Sequence, residues 1–365
     1  MSGPGEAAAG REGSAAAYLA ASIRRTLGDS ARLASASQVS RAIGMHPGVW
    51  RIVLTDGRRL VAKRLPLAAL VRGRPFDPLV VEPEVLRHLD GCPVPQVLGV
   101  DADGCLIYYG WCGDETLDDV CQLDDPSAHR SSAELVIEGF SLIRSGFERA
   151  SGELAHRTFP GCGPTDLLAG WDAVRRELDA DLPQVSARCG LSDEAALRLG
   201  TAVARLGGEL ADTSPVLGVT DYNARNVVLD REGDQLRFIE FGKIGWDWDE
   251  RRLVQYSTGM GGGLARGRFR SLLTPDTVGA ASDSIAMAHR LDGHHLIFHL
   301  LAACRLCRAV AETARAGEAT ECLRFWRDPE ARLLQLRAIL ACPLSSNALV
   351  TGVRGLFSQE VERGP

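Results

Sequence analysis

Two short runs near the start of the chain, Trp50 to Asp56 and Arg58 to Leu65, alternate apolar and polar residues and meet at Asp56-Gly57. Alternation with a period of two marks half-buried strands, and an Asp-Gly pair between such runs is a strong hairpin signal. Gln96 to Asp101 and Cys105 to Trp111 repeat the arrangement around Asp103-Gly104. Between the hairpins, Glu82 to Leu89 has helical spacing. Pro83 is expected in its first turn, where a missing N–H is tolerated, and Pro93 and Pro95 end it. Residues 18–43 are polar and amphipathic and predict one or two further helices. Up to residue 110 the order is strand, strand, helix, strand, strand, which suits a small antiparallel sheet with one main helix against it. Beyond about Glu134 the pattern turns helical. Helices are predicted over Glu134–Ala150, Asp166–Ala180, Asp193–Ala211, Ser282–Ala316 and Pro329–Ala341, interrupted by a hairpin from Asn226 to Phe241. No internal repeat is present.

The pattern predicts an α+β chain of two lobes. Residues 1–17, rich in Gly, Ala and Ser and lacking an apolar centre, read as a disordered tail and not as a signal peptide. Residues 18–110 make the small lobe, 111–117 a hinge, and 118–365 a larger helical lobe that carries the loop 219–242. No apolar run reaches the eighteen or so residues of a membrane span, so no membrane association is expected. Ten scattered cysteines suit buried thiols in a reducing cytoplasm. Cys304 and Cys307 have the C-x-x-C spacing but lie inside an apolar helical stretch, where packing explains them. His294, His295 and His299 read as helix histidines, since no Glu follows His295 to complete a metalloprotease motif.

Candidate chemistry concentrates in one stretch. Asp221-Tyr222-Asn223-Ala224-Arg225-Asn226 places an aspartate and an asparagine on a tight loop; a short hairpin then leads to Ile239-Glu240-Phe241-Gly242. Phosphotransferases arrange a catalytic base and two metal ligands around a nucleotide in this order. The basic residues point the same way. Of 41 Lys+Arg, only Lys63 and Lys243 are lysine, so a lysine is kept where a compact ammonium serves better than a planar guanidinium. Lys63 ends a predicted strand, placed to hold phosphates if a carboxylate fixes it. Glu82, nineteen residues on, is the natural partner, with Glu84 the alternative. Asp221 would orient the acceptor hydroxyl or take its proton, and Asn226 and Glu240 offer the oxygen ligands that Mg²⁺ requires.

These segments resemble the aminoglycoside phosphotransferase and choline kinase-like superfamily, whose signature is His-Gly-Asp-x-x-x-x-Asn, a hairpin, then Ile-Asp-Phe or Ile-Asp-Trp. The chain matches it with Val219-Thr220-Asp221 through Asn226 and with Ile239-Glu240-Phe241. Glu82 to Leu89 with Pro93-Val94-Pro95 resembles the family's helix and following prolines, and Gly113 to Leu117 the segment past its nucleotide hinge. The likeness covers about residues 40–255. It implies a protein-kinase-like fold with a nucleotide-binding small lobe, ATP or GTP with Mg²⁺ as cofactors, and contacts to nucleotide from Gly44, Gly48, Tyr109 and Trp111. Three positions depart from the pattern. Val219 replaces a histidine, Asn223 stands where a second histidine is frequent, and Glu240 replaces the metal-binding aspartate. Asp249, rather than Asp247, fits the aspartate that supports the loop. Lys243, just after the carboxylate, is either a contact to phosphate or acceptor or a solvent-facing side chain.

Net charge is −6, divided unevenly. Residues 251–365 hold 15 arginines against ten acids, a local balance of +5 that leaves −11 on the first 250. With Arg266, Arg268 and Arg270 on a glycine-rich segment, an acceptor that is neutral or acidic fits better than a polycationic aminoglycoside. Two acceptor types stand open. One is a hydroxylated small metabolite; the other is a serine or threonine of a biosynthetic peptide, handled with a partner enzyme, because kinases resembling this one phosphorylate such peptides before elimination. Negative charge and the lack of a basic-aromatic module argue against nucleic acid. The competing class is a nucleotide-binding pseudokinase that regulates a partner.

Overall fold

The computed structural model describes residues 4–39, 48–66, 68–230, 235–261, 267–281, 284–316 and 328–358. In the small lobe, helix α1 (Pro4–Leu27) is followed by β1 (Leu33–Gln38), β2 (Val49–Leu54) and β3 (Arg59–Arg64). A short hairpin of β4 (Ala69–Val71) and β5 (Arg74–Phe76) leads to α2 (Pro78–His88), β6 (Val97–Asp101) and β7 (Leu106–Gly110). Five of these strands form one antiparallel sheet in the order β1-β2-β3-β7-β6. Both predicted hairpins are present. Gly57 takes φ +85° in the first turn, as the Asp-Gly signal requires, whereas in the second it is Cys105, at φ +51°, that adopts the left-handed conformation.

Alternation along β3 decides what each sheet face does. Leu60 and Ala62 point outward into a core with Leu19 and Ile23 of α1, while Val61 and Lys63 point to the opposite face, toward α2 and the rest of the molecule. Three local expectations are corrected. A helix starts at Pro4, where residues 1–17 read as a disordered tail; the alanines there have the highest helix propensity of any residue. The segment 18–43 is not wholly helical, because Leu33–Gln38 pairs with β2 as the edge strand. And α2 begins at Pro78, capped by Asp77 (Leu79 N–H to Oδ1, 3.0 Å), so Pro83 lies within the helix. A cap plus proline at the first helical position is a stronger start signal than Pro83.

The large lobe begins with β8 (Glu115–Thr116) and the short α3 (Leu117–Val120). Long helices α4 (Pro126–Leu154), α5 (Pro164–Arg188) and α6 (Asp193–Ala211) follow, then β9 (Val216–Val219), β10 (Val227–Asp230), β11 (Gln235–Phe238) and β12 (Ile244–Asp247). The chain continues through α7 (Asp249–Tyr256), β13 (Thr258–Gly259), β14 (Arg270–Ser271), α8 (Pro275–Ala281), α9 (Ile285–Ala316), α10 (Pro329–Ala341) and α11 (Ala348–Ser358). The architecture is the expected α+β one: a small antiparallel sheet and a larger, mostly helical part. Asp125 caps α4 through Ser127 and Ala128, which starts that helix earlier than its apolar pattern does. No described helix is long and apolar enough to cross a membrane.

The histidines of α9 belong to the large-lobe core. His294 is wedged between Trp171 and Trp248, and His295 sits between Ser271 and Arg354. Arg354 forms a buried ion pair with Asp292 at 2.6 Å. Cys304 and Cys307 are buried in the same core. Among the described residues no group of three or more His, Cys, Asp or Glu is placed to hold a metal ion.

Burial drives the pKa of His294 and of His299 down to about 3. Both are therefore neutral in the folded protein, whereas the unfolded chain takes up protons near pH 6.5. Their contribution is fully present above that pH and is lost as pH falls toward 3. At pH 5 each histidine should lower stability by roughly 2 kcal/mol. Thermal melts at pH 7.5 and 5.0 check this, and His294→Phe, which keeps the aromatic wedge, should flatten the slope.

Candidate active site

A cavity of about 620 Å³ lies between the small-lobe sheet and the loop 219–242, lined among others by Lys63, Glu82, Tyr109, Trp111, Asp221, Asn226 and Glu240. Lys63 enters it because Ala62 faces the other way. Its ammonium reaches Glu82 at Oε1 (3.2 Å) and Oε2 (3.0 Å) and Glu240 at Oε2 (2.9 Å). Burial works against the charged ammonium, but the two carboxylates outweigh it and hold the pKa of Lys63 above the ordinary lysine value. Burial also raises the Glu82 carboxyl, opposed by the charge of Lys63. Glu84, the alternative partner, faces elsewhere and pairs with Arg157 at 2.7 Å.

The hinge segment is stitched to both sides of the cavity. Tyr109 and Trp111 continue β7 into it, and Glu115 and Thr116 pair with Leu229 and Val228 of β10. Arg51 of β2 bonds Asp114 at 2.9 Å, and the guanidinium of Arg59 lies over the Trp111 ring at 4.8 Å. Burial and the neighbouring Glu82 charge push the Tyr109 phenol well above its usual range. Gly113 has φ +122°, and a Cβ there would sit 2.1 Å from the Leu229 carbonyl oxygen, so only glycine lets the hinge pass so close to β10. Of the two candidate glycines of the nucleotide loop, Gly48 has φ +143° and abuts Arg64, while Gly44 lies outside the described residues.

Asp221 is held by its own loop. The Asn223 amide donates to Asp221 Oδ1 (3.0 Å), and the Asn226 amide donates to the Asp221 carbonyl (2.8 Å). Because Asn226 binds the loop through its nitrogen, its side-chain oxygen is the atom left for a cation. Glu240 has φ +71°, in the left-handed region that costs a residue with a Cβ about 1–2 kcal/mol. Asn226 Oδ1 and the Glu240 carboxylate are hard oxygen donors, the chemistry that Mg²⁺ takes, so the residues present fit such an ion.

Lys243 is not among the cavity's lining residues. It is exposed, with its ammonium 5.2 Å from the Phe159 ring centre, while its carbonyl accepts the Thr220 N–H at 3.1 Å just before Asp221. Of the arginines invoked for an acidic acceptor, Arg268 and Arg270 share one carboxylate, Asp124, just before α4, and Arg266 lies outside the described residues.

The scaffold beneath the loop rests on residues that the motifs do not announce. Arg252 of α7 is buried, and each of its five N–H groups has a partner. Nε donates to Val219 O, Nη2 to Val216 O and Gly245 O, and Nη1 to Asp247 O and Asp249 Oδ1, over 2.9–3.3 Å. It thus clamps β9, which leads into Asp221, to β12, which follows Glu240. Gly218 makes room for it, since a Cβ there would lie 2.7 Å from the guanidinium carbon. Asp249 therefore supports the loop through Arg252, and burial raises its carboxyl above the usual carboxylate range. Asp247 instead accepts from Tyr222, Arg251 and the Trp248 N–H. An arginine buried behind a catalytic-type loop has no linear signature, although the glycine at Gly218 was a trace of it.

No family model and no curated protein matches the chain. Solved structures align with most of it. An aminoglycoside phosphotransferase from Alicyclobacillus acidocaldarius is 12% identical with a TM-score of 0.46, covering 90% of this chain and 94% of that one. A macrolide 2'-phosphotransferase type I is 17% identical with a TM-score of 0.42, covering 87% and 96%. A choline/ethanolamine kinase family protein from Mesorhizobium loti is 14% identical with a TM-score of 0.41, covering 88% and 93%.

Proposed function

We propose that the chain is a phosphotransferase that moves the γ-phosphate of ATP, or of GTP, to a hydroxyl group. What carries this reading is one cavity in which a lysine fixed by a buried glutamate faces Asp221, Asn226 and Glu240. Lys63 would hold the nucleotide's phosphates, Gly48, Tyr109 and Trp111 would border the nucleotide, and Asp221 would take the acceptor proton. Asn223 occupies Asp221 Oδ1, so Oδ2 is the oxygen left for that proton. Asn226 and Glu240 would hold Mg²⁺, which neutralises charge on the transferring phosphate. The exposed Asp221 suits an acceptor arriving from solvent. Arg225, four residues after Asp221 and lining the same cavity, favours a neutral or acidic one, either a small metabolite or a serine or threonine of a peptide.

The alternative, a nucleotide-binding pseudokinase, is favoured by one observation: Glu240 replaces an aspartate and its carboxylate is engaged by Lys63. Thermal stability with ATP, with and without Mg²⁺, tests the nucleotide site. A ligand at a hundred times its dissociation constant stabilises the folded state by about 2.7 kcal/mol. The expected result is a Mg²⁺-dependent shift in the wild type that is lost in Lys63→Ala. No shift with ATP or GTP would overturn the assignment.

A further inference from the structure

The Lys63 ammonium has no donor to spare. Its three N–H groups are matched by three carboxylate oxygens, two from Glu82 and one from Glu240. A phosphate can bind there only if one carboxylate leaves, and the two differ in their freedom to do so. The Glu82 side chain is 3% exposed and is backed by Gly242, where a Cβ would lie 3.0 Å from Oε2. The Glu240 side chain is 30% exposed and hangs from a left-handed backbone position. With both carboxylates in place the cluster carries net negative charge, which repels a polyanionic nucleotide.

We infer that Glu240 makes nucleotide binding conditional on a divalent cation. Its carboxylate occupies the ammonium donor that phosphate needs, and it is released when a cation claims that carboxylate. Glu240 thus selects the metal–nucleotide complex over the free nucleotide. This rests on the nucleotide site proposed above, and it assigns Glu240 a task in the empty site separate from that of a ligand in the filled one.

The test is the affinity of ATP measured by equilibrium dialysis, in Mg²⁺ and in a chelator, for wild type, Glu240→Gln and Glu240→Gly. Glycine is native to a positive φ, so the second variant removes the carboxylate while relaxing the backbone. A charge-assisted hydrogen bond that must be broken corresponds to about 10–100-fold in affinity. Metal-free ATP should therefore bind both variants about 10–100-fold more tightly than it binds the wild type, and the gap between Mg²⁺ and chelator should shrink by as much. Metal-free affinity in the variants equal to or below that of the wild type would overturn the inference while leaving the nucleotide site intact, provided Mg²⁺-ATP still binds the wild type. Absence of binding by all three proteins in both conditions would overturn the site and the inference together.

Discussion

Asp221→Asn is expected to slow phosphoryl transfer by about 10²–10⁴-fold, the usual worth of a positioned general base. The substitution is isosteric and preserves the loop. Asn226 grips the backbone carbonyl of residue 221, which the change does not touch, and the Asn223 amide can still donate to the oxygen of the new side chain. What disappears is the carboxylate proposed to accept the acceptor's proton. Nucleotide affinity should therefore stay within a few-fold of wild type, because Lys63 and the hinge are unaltered. The check is the rate of ADP formation with saturating Mg²⁺-ATP, measured beside ATP affinity on the same preparations. Full activity in Asp221→Asn would remove Asp221 from the mechanism. A parallel loss of affinity would assign it to binding instead.

The parts of the fold legible in the sequence are those whose signals are local. The two hairpins follow from alternation and Asp-Gly or nearby turn residues. Pairing of Lys63 with Glu82 followed from a strand end and a helix brought together by the connection between them, and the structure joins them at 3.0 Å. Strand β1 was missed because Leu33–Gln38 is an edge strand whose half-exposed residues carry little pattern of their own; its pairing with β2 decides its conformation. The start of α2 was misplaced because Pro83 looked like a first-turn proline when Asp77 and Pro78 do that work. The arginines of residues 268–270 carry less free charge than a sequence count shows: Arg268 and Arg270 share one carboxylate, Asp124, far away along the chain, which offsets one of their two charges. The same blindness to distant partners hid the contact between Glu240 and Lys63, which are 177 residues apart.

Arg252→Leu should be among the most destabilising single changes in the large lobe, costing about 3–5 kcal/mol, as expected for removing one partner of a buried charge cluster. Leucine fills part of the volume but satisfies none of the acceptors. Four backbone carbonyls of β9 and β12 would lose a donor, and the Asp249 carboxylate would lose the cation beside it. Each buried polar group left without a partner costs about 1–3 kcal/mol, less where neighbouring groups rearrange to supply one. Arg252→Lys should recover only part of the loss, since an ammonium brings three donors to a site built for five. Urea unfolding measures this as a lower midpoint at unchanged slope. A cost below about 1 kcal/mol in Arg252→Leu would mean that water reaches those carbonyls and that the clamp is dispensable. If the clamp holds, the reason lies in chain connectivity. Val219 is two residues before Asp221 and Gly245 five after Glu240, so one guanidinium fixes the spacing of the strand that leads into Asp221 and the strand that follows Glu240.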